Sequence, residues 1–360
     1  VSQFTESRQS WTGSFRYLVA ILGVGLLLTG AAIWSAMTPS IEGKNGVVTR
    51  FEAVELYEKG RTLWQNRSVD GLYNATRHFE EAIALDPNFA LAHAALADAY
   101  VFDVLAWRKA EAVANEAIRL DPKLGQPYAT IGFVRMYWEQ RLEDAEPYFK
   151  KAIELDPDYA TARQWYALNL TARSQGGSGL AEMKRAHELD PTSAAINADM
   201  CQILYFARKY DQAIEHCHKA IEIEANFLTP RHHLYDIYTA MEMYDAAVNE
   251  FFKAQELNMT SAAFPHQHEQ LTQAYANGGI RQFWQARVGM LEGERRILPY
   301  ELGKYYARLG KNDNALRAFE TAAERHDFDF LFFAVDPANR DVLRLLEARK
   351  LKARLSPQEP

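Results

Sequence analysis

The sequence has few cysteines and no surplus of positive charge, and each shortage excludes a class of protein. Two cysteines in 360 residues cannot form a disulfide framework, so their number does not identify the redox compartment. The formal net charge of −7 at pH 7 argues against a nucleic-acid partner, because a nucleic-acid-binding surface needs a basic face. Hydrophobic residues at 48% and charged residues at 24% are ordinary values for a folded protein.

The sequence also lacks the short motifs that supply catalytic chemistry. It contains no Walker loop, no Gly-x-Ser-x-Gly elbow, no His-Glu-x-x-His and no Cys-x-x-Cys. The pair Gly23 and Gly25 lacks the third glycine of a dinucleotide-binding loop. We therefore expect a protein without enzymatic activity and without a bound cofactor.

Three groups of histidines raise the question of a metal site. Histidines two positions apart on a helix point about 200° away from each other, so such a pair needs ligands from another helix to hold an ion. Solvated surface histidines are therefore the preferred interpretation, and we expect no metal ion. The groups are His216-Cys217-His218, His232-His233 and His266-Gln267-His268-Glu269.

One long hydrophobic run lies near the start of the chain. The run from Tyr17 to Met37 carries no charge, and about 20 such residues are needed to cross the hydrocarbon core of a membrane. Arg16 at one end and Trp34 near the other are typical interfacial anchors. We therefore predict an uncleaved transmembrane anchor, with a cleaved signal peptide as the alternative. Basic residues flank both ends, so positive charge does not orient the segment.

A short pattern of Ala, Leu, Asp and Pro repeats along the rest of the chain. Successive copies begin at a nearly constant interval of about 34 residues, which indicates an array of helix pairs. The last two copies have lost the proline that ends the pattern. The copies are Ala82-Ile-Ala-Leu-Asp-Pro87, Ala117-Ile-Arg-Leu-Asp-Pro122, Ala152-Ile-Glu-Leu-Asp-Pro157, Ala186-His-Glu-Leu-Asp-Pro191, Ala220-Ile-Glu-Ile-Glu-Ala225 and Ala254-Gln-Glu-Leu-Asn-Met259.

Both the interval and the residues inside each unit resemble the tetratricopeptide repeat (TPR). Small residues occupy the eighth position of five units, where two helices must approach closely: Gly60, Ala97, Gly132, Ala167 and Cys201. Larger residues such as Phe79 and Phe149 lie between alanines on the second helix, as interdigitated helix packing requires. The resemblance implies an all-α fold, an α-solenoid of TPR helix-turn-helix repeats with one added N-terminal transmembrane helix.

The repeat spacing divides the chain into segments. We predict a short tail at 1–16, the anchor at 17–37, a linker at 38–50, six TPR units at about 51–89, 90–124, 125–159, 160–193, 194–227 and 228–259, a degenerate helix pair at 260–296, a further TPR-like unit at 297–326, and a C-terminal cap helix and tail at 327–360. In the fourth unit, the glycines at 176, 177 and 179 predict a second helix that starts late or frays. A cap is expected because an open array must cover its last apolar face.

The two cysteines, Cys201 and Cys217, fall at packing positions of one unit. Buried free thiols are the preferred interpretation, because unpaired cysteine behaves as a small hydrophobic residue. The two residues belong to facing helices, so a disulfide is the alternative if the array lies outside the cytosol.

The TPR resemblance also implies a binding groove, since the first helix of each unit lines the concave face of such arrays. Aromatic residues there would suit an extended or helical peptide, and packing between units is the alternative interpretation. The predicted groove residues are Asp98, Phe102, Phe133, Met136, Tyr137, Gln164, Gln202, Tyr205, Phe206, His232 and Asp236. TPR receptors for chaperone tails pair a lysine at the fifth position with an asparagine at the ninth. The pair Ala94 and Asp98 does not match, nor do its equivalents, so we expect no carboxylate clamp.

The stretch from Leu56 to about Ala254 is similar to the sensor half of bacterial membrane regulators. In such chains a winged-helix DNA-binding domain or a Ser/Thr kinase precedes one membrane span and a TPR array outside the cytoplasmic membrane. The similarity rests on Leu56-Tyr-Glu-Lys-Gly-Arg61, the Ala90–Tyr100 run and Gln164-Trp-Tyr-Ala-Leu168. The tail that precedes the hydrophobic run here, at 1–16, is too short for an effector domain to fold.

These observations lead to two expectations about function. The first is a single-pass scaffold or adaptor of the bacterial cytoplasmic membrane, with a periplasmic array that binds a protein or peptide partner in its groove. Such an adaptor would be a subunit of a membrane complex. The second is the extracytoplasmic sensor portion of a transcriptional regulator or kinase whose output domain is not in this chain.

Overall fold

The structure is a computed structural model that describes residues 40–42, 48–65, 69–103, 106–257, 264–293 and 298–348. The anchor predicted at 17–37 lies outside these ranges. Within them, no helix combines the length and the apolar character that crossing a membrane requires.

The described chain is helical apart from one short strand pair. Strand β1 (Ser40–Glu42) pairs antiparallel with strand β2 (Val48–Arg50). The helices are α1 (Phe51–Gln65), α2 (Val69–Leu85), α3 (Ala90–Tyr100), α4 (Trp107–Leu120), α5 (Gln126–Phe133), α6 (Leu142–Leu155), α7 (Ala160–Ala172), α8 (Gly176–Leu189), α9 (Ala194–Phe206), α10 (Tyr210–Ile223), α11 (Thr229–Ala240), α12 (Tyr244–Leu257), α13 (Phe264–Gly293), α14 (Pro299–Arg308), α15 (Asn312–Glu324) and α16 (Arg340–Ala348). A π-helical turn, Val134–Trp138, extends α5, and 3₁₀ turns cover Phe328–Phe332 and Pro337–Asn339.

Consecutive helices pack as hairpins, which stack into an array. Each odd-numbered helix from α1 to α11 packs on the helix that follows it, and α14 packs on α15. Each hairpin then contacts the next through its second helix. The first helices α3, α5, α7, α9 and α11 also contact one another, so they share one face, the concave face of the array. The fold is an all-α helical-repeat solenoid, as the sequence predicts.

Most hairpins close where a small residue of the first helix meets the second helix. A Cβ atom added at Gly132 would lie 2.9 Å from the Phe149 ring, which leaves no room for it. In the second hairpin, Ala97 and Ala114 are both completely buried at the equivalent positions. The alternation of small and large residues in the sequence therefore marks the lines along which helices touch.

The cysteines occupy this same contact in the fifth hairpin. Cys201 and Cys217 form a disulfide with their Cα atoms 5.4 Å apart, so the interpretation as free thiols is wrong. They take the positions that Ala167 and Met183 hold one repeat earlier, in the neighbouring hairpin. The physical reason is that these two positions bring the helices close enough for a disulfide, which needs Cα atoms within about 7 Å.

The turns inside five of the hairpins contain a residue with left-handed backbone, and these residues recur at a fixed interval. Gln140, Ser174, Arg208 and Glu242 hold the same position in successive repeats and have φ angles of 54°, 60°, 58° and 59°. Gly310, with a φ of 73°, lies two repeat lengths after Glu242. The following amide then returns to the end of the first helix, as where Lys209 N donates to Leu204 O at 2.9 Å. The hairpin turns thus carry the same period as the sequence pattern.

The aspartate in the first four copies of the pattern ends a second helix. Asp121 N donates to Ala117 O at 2.8 Å, and Asp121 Oδ1 accepts a hydrogen bond from Lys123 N at 3.0 Å. Asp86 and Asp156 make the same two bonds. The proline that follows cannot continue the helix, so the repeated pattern specifies a helix end and a tight turn.

The second helix of the fourth hairpin is complete, which corrects the prediction that it starts late or frays. Helix α8 begins at Gly176 and has 14 residues, as α6 and α10 do. A Cβ atom at Gly179 would lie 2.4 Å from Thr171 Oγ1 and 2.8 Å from Ala167 O. The glycine therefore permits a close approach between α7 and α8, and the packing outweighs its low helix propensity.

The C-terminal part of the array is less regular. The stretch labelled α13 consists of two helical segments separated by non-helical backbone at Gly278 and Gly279, and it covers most of the interval predicted as a degenerate helix pair. Helix α16 buries Val342 and Leu346 in the core that also contains α14 and α15. Residues 327–339, here called the C-terminal arm, instead return to the concave face, where Leu331 and Phe332 join the core of the earlier hairpins.

Candidate functional site: an aromatic pocket on the concave face

The concave face carries a pocket with a volume of about 440 Å³. Its walls come mainly from the first helices of successive hairpins, from the π-helical turn and from the C-terminal arm, and Leu72 of α2 adds to them. The lining residues are Leu72, Val101, Phe102, Phe133, Tyr137, Trp138, Gln164, Trp165, Leu168, Ala195, Asp199, Phe227, Thr229 and Phe328. Apolar and aromatic side chains predominate, as they do in sites for small molecules and peptide side chains.

The aromatic rings form one connected wall. Phe133 lies at its centre, with its ring centroid 4.5 Å from that of Tyr137, 4.7 Å from Trp165 and 5.5 Å from Phe102. Phe102 is 38% exposed, whereas Phe133 is 7% exposed. The wall therefore combines a buried ring at its centre with a ring that is partly exposed to solvent, and such offset and tilted ring pairs are individually favourable.

The π-helical turn positions two of the lining residues. Glu139 N donates to Val134 O at 3.1 Å, so the turn contains one residue more than an α-helical turn. Trp138 is then fixed by a hydrogen bond from its Nε1 to Val101 O at 3.0 Å and by parallel stacking on Trp107, with centroids 5.0 Å apart. π-Helical turns are rare and are often found at functional sites.

The polar part of the lining is small. Gln164 Nε2 donates to Asp199 Oδ2 at 2.7 Å, which places a carboxylate beside the aromatic wall. Burial raises the pKa of the Tyr137 hydroxyl well above its usual value, and the negative charges of Asp199 and Asp329 raise it further. Tyr137 is therefore protonated at neutral pH.

The C-terminal arm closes one side of the pocket. The ring of Phe328 meets that of Trp138 edge to face with centroids 4.4 Å apart, and Phe332 stacks on Phe206 at 5.4 Å. Gln140 Nε2 donates to Asp327 O at 3.2 Å. These contacts join parts of the chain separated by well over a hundred residues and leave Phe328 39% exposed at the rim.

A buried ionic cluster holds the base of the arm. Asp236 of α11 pairs with Lys304 and Arg308 of α14, each at 2.5 Å. Burial alone would raise the pKa of Asp236, but the two cations hold that pKa well below its usual range. Asp336 of the arm accepts hydrogen bonds from Tyr205 at 2.9 Å and from Tyr300 at 3.1 Å. The charged groups of the cluster are thus paired with one another inside the protein, and their contacts position the arm.

The predicted groove residues have different environments. Four of them, Phe102, Phe133, Tyr137 and Gln164, line the pocket together. Asp98 is 1% exposed and accepts hydrogen bonds from Gln126, Thr130 and Tyr159, so it joins three hairpins. Met136 is completely buried. Tyr205, Phe206 and Asp236 contact the arm or α14, as described above, while Gln202 is half-buried and His232 is exposed.

The histidine groups are not all solvated, which corrects one expectation. His218, His232 and His266 are exposed, but His216 and His233 are partly buried. Burial lowers the pKa of His233 to about 4. Across the described ranges, no group of three or more histidine, cysteine, aspartate or glutamate side chains has the arrangement of a metal site.

Several lining residues have no simple signal in the sequence. Trp165 lies beside the predicted Gln164, and a helical wheel assigns it to another face, yet its ring reaches the pocket floor. Trp138 enters the pocket because the π-helical turn shifts the helix register by one residue. Phe328 belongs to a segment interpreted as a cap. Its run of aromatic residues, Phe328, Phe330, Phe332 and Phe333, is the signal that a buried segment was present.

Comparison with known proteins identifies the architecture. A family model of the tetratricopeptide repeat matches residues 139–159. Human IFIT1, solved as a dimer with m7Gppp-AAAA, is 16% identical over 81% of this chain and 72% of that chain, with a TM-score of 0.53. TTC0263, a thermophilic TPR protein of Thermus thermophilus, is 20% identical over 50% of this chain and 95% of that chain, with a TM-score of 0.42. YrrB, described as a TPR protein with an unusual peptide-binding site, is 22% identical over 50% of this chain and 90% of that chain, with a TM-score of 0.31.

The comparison with curated proteins found no match. At these identities the likeness to solved structures concerns the fold alone. Together with the repeated hairpins, it supports a TPR-like helical array.

Proposed function

We propose that this TPR-like repeat protein is an adaptor that binds an extended segment of a partner protein on the concave face of its array. The observation that carries the proposal is the aromatic pocket around Phe133, which lies on the face that TPR-type arrays offer to partners. A pocket of about 440 Å³ accepts one large side chain with its neighbouring backbone. Rigid aromatic walls favour such a contact, because they lose little conformational entropy on binding.

The arm supports the proposal from within the same molecule. It is a short, non-repetitive segment whose Phe328 and Phe332 rest on concave-face rings. A segment of this kind is what a partner would present, and its docking illustrates that the face accommodates one. The pocket lies next to the arm and extends towards Phe102, so a second segment has space there.

The proposed role involves no catalysis. Apolar side chains form most of the pocket wall, and Gln164, Asp199 and Thr229 are the non-aromatic polar residues in it. Gln164 and Asp199 are joined by a hydrogen bond of 2.7 Å, and this arrangement suits recognition better than proton transfer. The acidic net charge of −7 likewise favours a protein partner over a nucleic acid.

The proposal also places the array outside the cytosol, attached to the bacterial cytoplasmic membrane through residues 17–37. The disulfide between Cys201 and Cys217 supports this placement, because structural disulfides persist in oxidising compartments and are rare in the cytosol. Protease added to intact spheroplasts should then digest the array. Protection of the array until the membrane is permeabilised would contradict the placement.

Peptide binding can be tested with the full chain in detergent on an array of random synthetic 12-mer peptides. Tyr137→Ala removes a pocket wall, and Tyr73→Ala is its control, because Tyr73 is 74% exposed on α2. We expect Tyr137→Ala to weaken the bound peptides about tenfold or more, and Tyr73→Ala to leave them unchanged. Equal binding by both variants would exclude the pocket as the binding site.

A further inference from the structure

The charge of the pocket wall restricts which partner side chains can bind in the pocket. Among the described residues that line the pocket, Asp199 is the one with a formal charge, and no lysine, arginine or histidine is present. Asp329, on the adjacent arm, adds to the negative field at Tyr137. An acidic side chain entering the pocket would be repelled by both carboxylates.

The ring geometry favours a flat cation. Phe102, Phe133, Tyr137 and Trp165 form one connected cluster that lines the pocket, and the face of an aromatic ring carries the negative part of its quadrupole. A cation within about 6 Å of such a ring centroid is attracted to it, and the attraction grows when water is excluded. Guanidinium is planar and weakly hydrated, so it stacks on rings and pairs with a carboxylate at the same time.

We propose that the pocket binds an arginine side chain of the partner segment, with the guanidinium stacked on the aromatic wall and directed towards Asp199. This inference rests on the proposed function, since it specifies the chemistry of the segment that the concave face binds. The partner is then a basic segment, in keeping with the acidic net charge of the chain, which speeds encounter with basic partners. A neutral aromatic side chain is the competing occupant, and the experiment distinguishes the two.

The test uses four acetylated and amidated pentapeptides, Ala-Ser-X-Ser-Ala, in which X is arginine, lysine, phenylalanine or glutamate. Binding to the full chain in detergent is followed by tryptophan fluorescence, because Trp138 and Trp165 line the pocket. We expect the arginine peptide to bind about tenfold more tightly than the phenylalanine peptide, the lysine peptide to bind less tightly than arginine, and the glutamate peptide to bind least.

Asp199→Asn removes the charge while its amide oxygen still accepts a hydrogen bond from Gln164. We expect this variant to lose about tenfold in affinity for the arginine peptide and to melt as the wild type does. Asp211→Asn makes the same charge change on the exposed face of α10 and should have no effect. Phe102→Leu keeps the wall apolar but removes a ring face, so it should weaken arginine binding several-fold.

Three results would overturn the arginine assignment. One is a phenylalanine peptide that binds as tightly as the arginine peptide, and another is an unchanged arginine preference in Asp199→Asn. Absence of any fluorescence change with all four peptides would also overturn it. The proposed function would survive these results if 12-mer peptides still bound in a manner that depends on Tyr137.

Discussion

Burial between helices changes the pKa of single side chains in this array. For His233 of α11 this change makes the stability of the fold depend on pH. The pKa of His233 is lowered to about 4, mainly by burial; the charge of Asp236 raises it, whereas His232 and Lys304 contribute to lowering it. Within the described part of the chain, His233 Nε2 has no hydrogen-bond partner. The folded state therefore keeps this imidazole neutral in a pH range where an unfolded chain, with a pKa near 6.5, binds a proton.

The sign of the pH effect follows from that difference. Above about pH 6.5 the imidazole is neutral in both states, and stability is unaffected by His233. As the pH falls from about 6.5 towards 4, the unfolded state gains a proton that the folded state does not, so about 3 kcal/mol of stability is lost. Urea unfolding of His233→Gln should show a weaker loss over this range than the wild type. The exposed His218→Gln should match the wild type, and equal pH slopes for all three proteins would contradict the assignment.

Backbone strain gives a second prediction for single residues. Arg208 and Gly310 occupy equivalent hairpin turns, with φ angles of 58° and 73°. Left-handed backbone destabilises the folded state by about 1–2 kcal/mol when the residue carries a Cβ atom. Glycine avoids this strain but loses more conformational entropy on folding, which cancels part of the gain. Arg208→Gly should therefore stabilise the protein by about 0.5–1 kcal/mol, whereas Gly310→Ala should destabilise it by a similar amount.

The reciprocal pair provides its own control. Nothing lies within 4 Å of a Cβ atom added at Gly310, so a stability loss there reports the backbone and not a clash. Denaturant unfolding measures both changes. If both substitutions destabilise the protein, then the arginine side chain contributes more than the strain costs.

Among the elements, the hairpins could be predicted from the sequence because their signals are local. A helix end, a proline and a small contact residue recur once per repeat, and each has a direct physical effect on the backbone or on packing. The disulfide was predictable in principle, since Cys201 and Cys217 hold the repeat positions of Ala167 and Met183. The repeat pattern correctly predicted that both cysteines are buried, but it did not give the distance between their Cα atoms.

The disulfide leads to a prediction for the hairpin formed by α9 and α10. It joins residues 16 apart in sequence, and closing a loop of that size stabilises a fold by about 3 kcal/mol. The double variant Cys201→Ala plus Cys217→Ala reproduces the alanine pair of the second hairpin, so it should fold but lose about this much stability. Reduction of the wild type should lower its melting temperature to the same value. A reductant effect on the double variant would show that the loss has another source.

The pocket was only partly predictable, because neighbouring positions at the ends of the first helices differ in burial. The thirteenth repeat position, held by Phe102, Tyr137 and Phe206, is at least partly accessible on the concave face. The twelfth position, held by Met136 and its equivalents, is buried between hairpins. The helical period assigns both positions to nearly the same side, and only the tilt between neighbouring hairpins separates them.

At the scale of the whole molecule, the arm changes how the array responds to perturbation. A solenoid of stacked repeats is stabilised by contacts between neighbours, so damage at one end stays near that end. Here Leu331 and Phe332 belong to the core of the earlier hairpins, while Phe330 and Phe333 belong to the core around α14 and α15. The local repeat pattern could not predict this connection, because it carries no information about contacts more than one hundred residues apart.

Substitution of Phe332 should therefore destabilise parts of the array far from the C-terminus. Phe332 is 4% exposed and stacks on Phe206, so Phe332→Ala removes a buried ring and should cost about 3–4 kcal/mol. Hydrogen–deuterium exchange should then increase in α9, which carries Phe206, and in the turn after α5, which carries Tyr137, as well as in α14 to α16. Phe283→Ala is the matched control, because Phe283 of the C-terminal core is completely buried and its ring packs on Phe251 and Tyr275, neither of which belongs to the arm. Its effect should stay within that core. If the Phe332→Ala increase is confined to residues after 298, the arm does not couple the two ends, and the array responds as a linear stack.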